Sequence, residues 1–167
     1  DVPTKIIQKA LFNFPGIKRR FEIIGNFKLN KNSFLWIDDY GHHPTEMKEV
    51  LETIKNVWEK RRVIMIFQPH RFSRTVEHFN QFVDILKRVD NLILMEIYSA
   101  NEKPIDNISS EAISLEIKKY NDNVLLINNK EDLAKCLNNT IEDNDILLTM
   151  GAGNISQFVN YYKEIVK

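Results

Sequence analysis

The chain has 167 residues, of which 43% are hydrophobic and 28% charged, and its 23 basic residues balance its 23 acidic ones. A net charge of zero disfavours a general nucleic-acid-binding role, because proteins of that class carry a basic field. A single cysteine, Cys136, excludes an internal disulfide and a zinc site built on several cysteines. Size and composition predict one main domain in a reducing, cytoplasmic compartment.

The first third of the chain predicts a short helix followed by a hairpin. Apolar residues recur at helical spacing after Pro3, and Pro15-Gly16 ends that segment with a turn. Residues 21–27 and 34–38 are each typical of a strand, and the turn between them predicts an antiparallel hairpin. Because the chain starts within a helix and without methionine, we expect residues 1–29 to be the terminal segment of a preceding domain with a linker. Residues 30–167 then form the main domain.

From Pro44 onward, predicted helices alternate with short apolar strands. The strands are expected at residues 63–67, 92–97, 124–127 and 145–149, and helices at residues 44–58, 73–86, 110–120, 131–137 and 155–166. This alternation with short connections is typical of right-handed crossovers that build a parallel sheet with helices on both faces. It predicts a doubly wound α/β fold with the hairpin as an antiparallel edge.

Three loops of this predicted sheet follow a strand and open a helix. They cover residues 39–46, 68–75 and 151–154. In open α/β sheets, loops at the carboxyl ends of strands form the ligand crevice, and helix N-termini there favour anions. We therefore expect the three loops to surround one binding crevice.

The second loop carries Arg71 and Arg74 at the start of a predicted helix, where positive charge opposes the helix dipole. Cations in that position are typical of anion binding, and the arginine fork suits a carboxylate or a phosphate. The alternative is that both arginines are surface residues paired with nearby acids such as Glu77. The spacing favours the anion-binding interpretation.

The first loop carries two adjacent histidines, His42 and His43. Imidazole suits acid–base chemistry or the orientation of a polar substrate, and we expect one of the pair only to cap the helix or line the core edge. A metal site is not predicted, because neither the HExxH pattern nor another zinc spacing is present.

The third loop, Gly151-Ala152-Gly153, resembles the start of a dinucleotide fingerprint, but Ser156 stands where the third glycine belongs. By itself it predicts a tight turn. A P-loop of the GxxxxGK[ST] type is absent from the sequence, so the chain has no such cradle for a nucleotide triphosphate.

Four segments in this order resemble the C-terminal part of the Mur ligase family. They are Arg19-Arg20-Phe21-Glu22, Asp38-Asp39-Tyr40-Gly41-His42-His43-Pro44-Thr45-Glu46, Phe67-Gln68-Pro69-His70-Arg71-Phe72-Ser73-Arg74-Thr75 and Gly151-Ala152-Gly153-Asn154-Ile155. The resemblance runs through nearly the whole chain. Within the family, the chain most resembles the members that add L-alanine. The related ligase that recycles murein peptides is the alternative, but it is not expected to carry the His70-Arg71-x-x-Arg74 block.

The resemblance implies a Rossmann-like C-terminal domain of an ATP-dependent amide ligase. In such enzymes an N-terminal domain binds UDP-N-acetylmuramate and a central domain carries the P-loop. The sugar's lactyl carboxylate becomes an acyl phosphate, which the amino group of L-alanine attacks, in peptidoglycan precursor synthesis. ATP and magnesium are the expected cofactors of the full-length enzyme, a homodimer is an open alternative, and the chain alone is expected to be inactive.

The resemblance also assigns roles to residues. Arg20 and Asp39 would hold the ribose and adenine side of ATP, although the residues alone predict only a solvated basic tip at Arg20. Tyr40 and His42 would line the reaction centre.

On the amino-acid side, the resemblance implies that His70, Arg71 and Arg74 receive L-alanine, with an arginine on its carboxylate. Gly151 and Asn154 would border that pocket. The competing interpretation from another class is a stand-alone, flavodoxin-like module that binds a small anion in the same crevice.

Overall fold

The computed structural model describes residues 2–166. Within them the helices are α1 (Thr4–Phe12), α2 (Pro44–Val57), α3 (Phe72–Glu77), α4 (Phe79–Leu86), α5 (Ser110–Ile117), α6 (Lys130–Thr140) and α7 (Ile155–Ile165). The strands are β1 (Glu22–Leu29), β2 (Asn32–Asp39), β3 (Val63–Phe67), β4 (Asn91–Leu94), β5 (Val124–Leu126) and β6 (Asp145–Met150). No helix among these is long and apolar enough to cross a membrane.

The six strands form one sheet in the order β1-β2-β6-β3-β4-β5. β1 pairs antiparallel with β2, whereas the other neighbouring pairs are parallel. The predicted mostly parallel sheet with an antiparallel hairpin edge is confirmed. Met150, the last residue of β6, is in register with Asp39 of β2 and with Phe67 of β3, so three strands end side by side.

Both faces of the sheet are covered by apolar side chains, as a doubly wound fold requires. In β2, Leu35 and Ile37 belong to a core cluster with residues of α2, α4 and α5. The alternating residues Phe34 and Trp36 belong to a second cluster with residues of α6 and α7. This double burial explains why β2 reads as an unbroken apolar run in the sequence.

Three predicted elements are shorter or more divided than expected. The helix expected at residues 110–120 ends at Ile117. The helix expected at residues 73–86 is broken at His78, whose ring lies 4.5 Å from that of His43 and packs edge-on against Phe82. The strand expected at residues 92–97 ends at Leu94. There the Glu96 carboxylate accepts the N–H of Ile97, a local bond that competes with the strand ladder.

The predicted boundary at residue 30 falls inside the β1–β2 hairpin, so the sheet itself begins at Glu22. That residues 1–29 derive from a preceding domain stays a prediction. The predicted helix near the start is present as α1, which contains no buried residue, and its Phe12 is 90% exposed.

Candidate active site

The three loops predicted to surround a crevice do converge. The Gly151 N–H donates to the Asp39 carbonyl over 3.2 Å, and the Gln68 N–H donates to the Met150 carbonyl over 3.0 Å. These bonds continue the ladders of β2, β6 and β3 beyond the strand ends. The loops are therefore fixed to one another at the carboxyl edge of the sheet, where the strand order of an open α/β sheet places a ligand.

Asp39 anchors the first loop. Its carboxylate is buried and accepts N–H groups from both sides, over 2.6 Å from Phe21 and 2.6 Å from Gly41. Each carboxylate oxygen thus holds the backbone of this protein. Asp39 ties the segment before β1 to the turn that carries Tyr40, and its assignment to ATP stays a prediction.

His43 caps helix α2, the structural role expected for one of the two histidines. Its Nδ1 atom accepts the Thr45 N–H over 3.2 Å, and Glu46 in return accepts the N–H groups of His42 and His43. Partial burial acts to raise the pKa of Glu46, but these two backbone donors, with the charges of His42 and Arg20, outweigh it and lower the pKa. The reciprocal capping box fixes the start of α2.

His42 presents a free ring nitrogen. Its Nδ1 atom lies 3.0 Å from the carbonyl oxygen of Tyr40, and a carbonyl can only accept, so Nδ1 carries the proton of the neutral ring. The lone pair then lies on Nε2, which has no hydrogen-bond partner among residues 2–166. The rings of His42 and Tyr40 meet edge-on, 5.4 Å apart. This arrangement can accept a proton from a ligand.

Two arginines flank the ring of Tyr40. The guanidinium carbons of Arg19 and Arg20 lie 5.2 and 5.4 Å from the ring centroid. Arg20 is half exposed, as expected for a solvated basic tip, and its guanidinium also lies 3.6 Å from Glu46 of the first loop. Its donors remain accessible to a ligand.

Arg19 is bound within the protein. Its Nε atom donates to Asp38 over 2.9 Å and its Nη2 atom donates to the Gly151 carbonyl over 2.6 Å. Burial raises the pKa of Asp38, although bonds from Thr149 and Arg19 act in the opposite direction. Arg19 thereby links the end of β2 to the third loop, through a nearly buried ion pair and a bond to a carbonyl oxygen.

His70, Arg74 and Tyr98 form one cluster in and beside the second loop. The Arg74 Nη1 group donates to Nδ1 of His70 over 3.2 Å, so His70 holds its proton on Nε2. Burial, and then the charge of Arg74, lower the pKa of His70, which favours the neutral ring. The Tyr98 ring stacks on His70 with centroids 5.5 Å apart.

Arg71 has its side chain exposed and a backbone φ of 72°. Its N–H donates to the Tyr98 carbonyl over 2.8 Å, which holds the loop in that left-handed conformation. Within residues 2–166 its guanidinium makes no hydrogen bond, and neither Arg71 nor Arg74 forms an ion pair with Glu77. The pairing with Glu77 that the alternative named is therefore not present among the described residues.

The third loop packs tightly on the second. A Cβ atom at Gly151 would lie 2.7 Å from the carbonyl oxygen of Gln68, and the φ of 147° there also disfavours other residues. Asn154 accepts a bond from the Gln68 side chain over 2.7 Å. The sequence-predicted pair Gly151 and Asn154 thus lies against the start of the second loop.

Sequence reasoning did not single out Arg19, Gln68 or Tyr98. Arg19 and Gln68 stood within segments that were quoted as motifs, but their partners lie 132 and 86 residues away in the chain. Tyr98 follows a predicted strand and could have been noted as a polar-tipped aromatic residue at a strand end. Its contact with His70 depends on the strand order, which periodicity does not supply.

In residues 2–166 no group of three or more histidine, cysteine, aspartate and glutamate side chains is arranged to hold a metal ion. The carboxylate of Asp39 in the first loop already accepts hydrogen bonds from two backbone amides. The residues that the structure describes therefore do not fit a magnesium site of their own.

The family model described as "Mur ligase, glutamate ligase domain" matches residues 19–153. The chain belongs to the Mur ligase family. The UDP-N-acetylmuramate–L-alanine ligase of Vesicomyosocius okutanii is 44% identical over 156 residues, which are 93% of this chain and 33% of that protein. The chain thus spans about a third of the length of the curated relatives that it matches.

Two solved structures superpose well on this chain. The UDP-N-acetylmuramate–alanine ligase of Thermotoga maritima is 29% identical, with a TM-score of 0.69 over 93% of this chain and 32% of that one. A murein peptide ligase of Psychrobacter arcticus has a TM-score of 0.70 over 93% of this chain and 31% of that one, but at 21% identity it shows the fold alone. The Mur ligase C-terminal fold predicted from the motifs is confirmed.

Proposed function

We propose that this chain is the C-terminal domain of an ATP-dependent ligase that adds L-alanine to UDP-N-acetylmuramate in peptidoglycan precursor synthesis. The observation that carries the proposal is the crevice itself. The remaining donors of Arg74 and the free Nε2 of His42 lie on either side of the His70 ring, and the charge of Arg71 acts on that ring as well. The relatives that support it are named for that reaction.

Each residue of the crevice then has a chemical task. Arg71 and Arg74 bind the carboxylate of L-alanine, because a guanidinium fork matches a carboxylate. The amino group attacks the activated lactyl carbon, a C–N bond forms, the bond from that carbon to the phosphate oxygen breaks, and the proton of the amine passes to Nε2 of His42. Tyr40 fixes the tautomer of His42 through its carbonyl oxygen.

ATP supplies the phosphoryl group that activates the lactyl carboxylate. Arg20 fits a contact with the nucleotide, since it is half exposed beside Tyr40. The carboxylate of Asp39 fits less well, since two backbone amides already occupy it. We assign magnesium and the triphosphate to the other domains of the enzyme, because this sequence has no P-loop.

A chimeric ligase tests the proposal. The chain replaces the matching C-terminal third of the Vesicomyosocius okutanii relative, and ADP release and product formation are measured with UDP-N-acetylmuramate, ATP and L-alanine. We expect turnover from the chimera and none from the 167-residue chain alone. The unmodified relative is the positive control.

Two further arms address the competing functions. A murein tripeptide in place of L-alanine tests the recycling ligase, and calorimetry of the chain alone with phosphate tests the small-anion module. A folded chimera that uses the tripeptide but not L-alanine would overturn the proposed substrate. Sub-micromolar phosphate binding by the chain, more than roughly 8 kcal/mol, would favour the binding module.

A further inference from the structure

Gln68 is the first residue after β3, and it is buried. Both ends of its side-chain amide bind the third loop. Nε2 donates to Oδ1 of Asn154 over 2.7 Å, and Oε1 accepts the N–H of Ile155 over 2.9 Å. One buried side chain therefore joins the second loop to the start of α7.

The direction of these bonds follows from one fixed donor. The backbone N–H of Ile155 can only donate, so the Gln68 oxygen must face it and the Gln68 NH2 group must face Asn154. Asn154 must then present its oxygen to Gln68. Its own NH2 group is left without an acceptor among residues 2–166, on a side chain that is exposed at the crevice.

Tight packing keeps this arrangement in place. A Cβ atom at Gly153 would lie 2.5 Å from Oε1 of Gln68 and 2.7 Å from Cβ of Tyr98. The backbone of the third loop is therefore packed directly against both residues. Because the Tyr98 ring stacks on His70, Asn154 lies beside the cluster that also holds Arg74.

We propose that Gln68 is a positioning residue that sets the orientation of the Asn154 side-chain amide. By holding the Asn154 oxygen, Gln68 leaves the NH2 group as a neutral donor to the carboxylate of the amino-acid substrate, next to the two arginines. The substrate in this statement rests on the proposed function. The orientation of the two amides does not.

Solvent exchange of the side-chain NH2 groups, measured by NMR on the 167-residue chain, tests the orientation. In the unmodified chain the Gln68 NH2 group is expected to exchange slowly and that of Asn154 quickly. Gln68→Glu keeps the acceptor for Ile155 but removes the donor, so Asn154 must turn and its NH2 group becomes protected. Slow exchange of the Asn154 NH2 group in the unmodified chain would overturn the proposal.

A matched control places the same charge nearby. Gln157 is exposed on the first turn of α7, and its side chain makes no hydrogen bond among the described residues. Gln157→Glu is therefore expected to leave the exchange of both amide groups unchanged. A protected Asn154 NH2 group in this variant would show that charge alone, and not the bond to residue 68, turns the amide.

Steady-state kinetics of the full-length ligase test the consequence. Gln68→Glu is expected to raise the KM for L-alanine about tenfold or more, the scale of one hydrogen bond to a charged group, with kcat and the KM for ATP little changed. Asn154→Ala should raise the same KM, and the two changes together should not add. A structural role would instead lower the Tm and change all three parameters together, which would overturn the proposal.

The two arms separate the inference from the proposed function. If Asn154 has the expected orientation and the ligase is active, but the KM for L-alanine is unchanged in Gln68→Glu, the positioning role is wrong and the proposed function stands. If the chimera fails to ligate L-alanine, the proposed function fails, and the positioning of a substrate carboxylate fails with it. The exchange measurement then still decides the amide orientation.

Discussion

Arginines lie at both edges of the parallel sheet, but the two edges use them differently. At the amino edge, Arg62 donates Nε and Nη2 to the buried carboxylate of Asp145 over 3.0 and 2.7 Å and Nη1 to Glu142 over 3.0 Å. Arg61 donates to the carbonyl oxygens of Asn144 and Asp145. These side chains are held by the protein itself.

At the carboxyl edge, Arg19 is also held by the protein, but the donors of Arg71 and Arg74 are largely unused. Arg71 makes no side-chain hydrogen bond within residues 2–166, and Arg74 bonds only to His70. An arginine that the fold does not hold loses its conformational freedom only when a ligand binds it, and its donors are free for that purpose. Bonds within the protein therefore mark a structural arginine, whereas free donors suit a ligand only where they lie at the converging loops.

A groove of about 750 Å³ lies between α2 and α4 at the amino edge, lined by Trp58, Leu51 and Ile85 among others. We instead place the proposed ligand at the converging loops with free donors, in agreement with the rule that open α/β sheets bind ligands at strand carboxyl ends.

The largest effect is expected from substitutions at the carboxyl edge. In the full-length ligase, Arg71→Ala and Arg74→Ala should each raise the apparent KM for L-alanine by roughly 30-fold to several thousand-fold, since truncating one partner of an arginine–carboxylate pair in a closed, partly desolvated site costs about 2 to 5 kcal/mol. The KM for ATP should change far less. Arg→Lys at either position should rescue only partly, because the planar fork is lost.

Arg88→Ala is the matched control, since Arg88 is exposed in the amino-edge groove. It should leave both KM values unchanged. If instead the Arg71 and Arg74 variants raised the KM for ATP and left that for L-alanine unchanged, the two arginines would be phosphate clamps.

A smaller effect of a different kind is expected at the amino edge. Arg62→Ala leaves the Asp145 carboxylate buried without its charged partner, and should lower the free energy of unfolding by about 3 kcal/mol. Chemical denaturation measures it. Arg61→Ala, which removes bonds to carbonyl oxygens only, should cost about 1 kcal/mol. Unchanged stability in Arg62→Ala would show that this edge does not need its arginines.

The smallest effect concerns Glu46 and pH. Because folding lowers the pKa of Glu46, its charge adds stability above the unfolded value of 4.5, and that stability is lost as the pH falls through the lower folded value. Glu46→Gln should therefore be less stable than the unmodified chain at pH 7, by about 0.5 kcal/mol for so exposed a group. The difference should shrink below pH 4.5.

Glu49→Gln removes the same charge from the exposed face of the same helix, and the Glu49 side chain accepts no bond among residues 2–166. Its stability should match that of the unmodified chain across the same pH range. A difference between Glu46→Gln and the unmodified chain that grows as the pH falls would contradict a folded-state pKa of Glu46 below its unfolded value.

The sequence predicted the parts of the structure that depend on local pattern. Apolar runs such as residues 34–37 and 63–67 are buried strands, and Pro44 starts a helix as expected. The division of one predicted helix at His78 was not predictable, because it depends on contact with His43 from another loop. Periodicity carries no information about that contact.

For the crevice, the sequence predicted that three loops converge but not how they are joined. The His70–Arg74 bond spans one helical turn and lies within a motif. The bonds of Arg19 to Asp38 and Gly151 join segments far apart in the chain, and the left-handed backbone of Arg19 is unusual for a residue other than glycine. Such contacts follow from the assembled sheet, and so the roles of Arg19 and Gln68 emerged only from the structure.

The placement of the two tryptophans gives each edge its own optical reporter. Trp36 is fully buried, and its indole donates to Thr149, which bonds Asp38, the partner of Arg19 at the crevice. Trp58 is partly exposed at the amino-edge groove, stacked near Phe21. Fluorescence from a dry indole lies at shorter wavelength than that from a hydrated one, so the blue side of the emission band follows the crevice and the red side follows the groove.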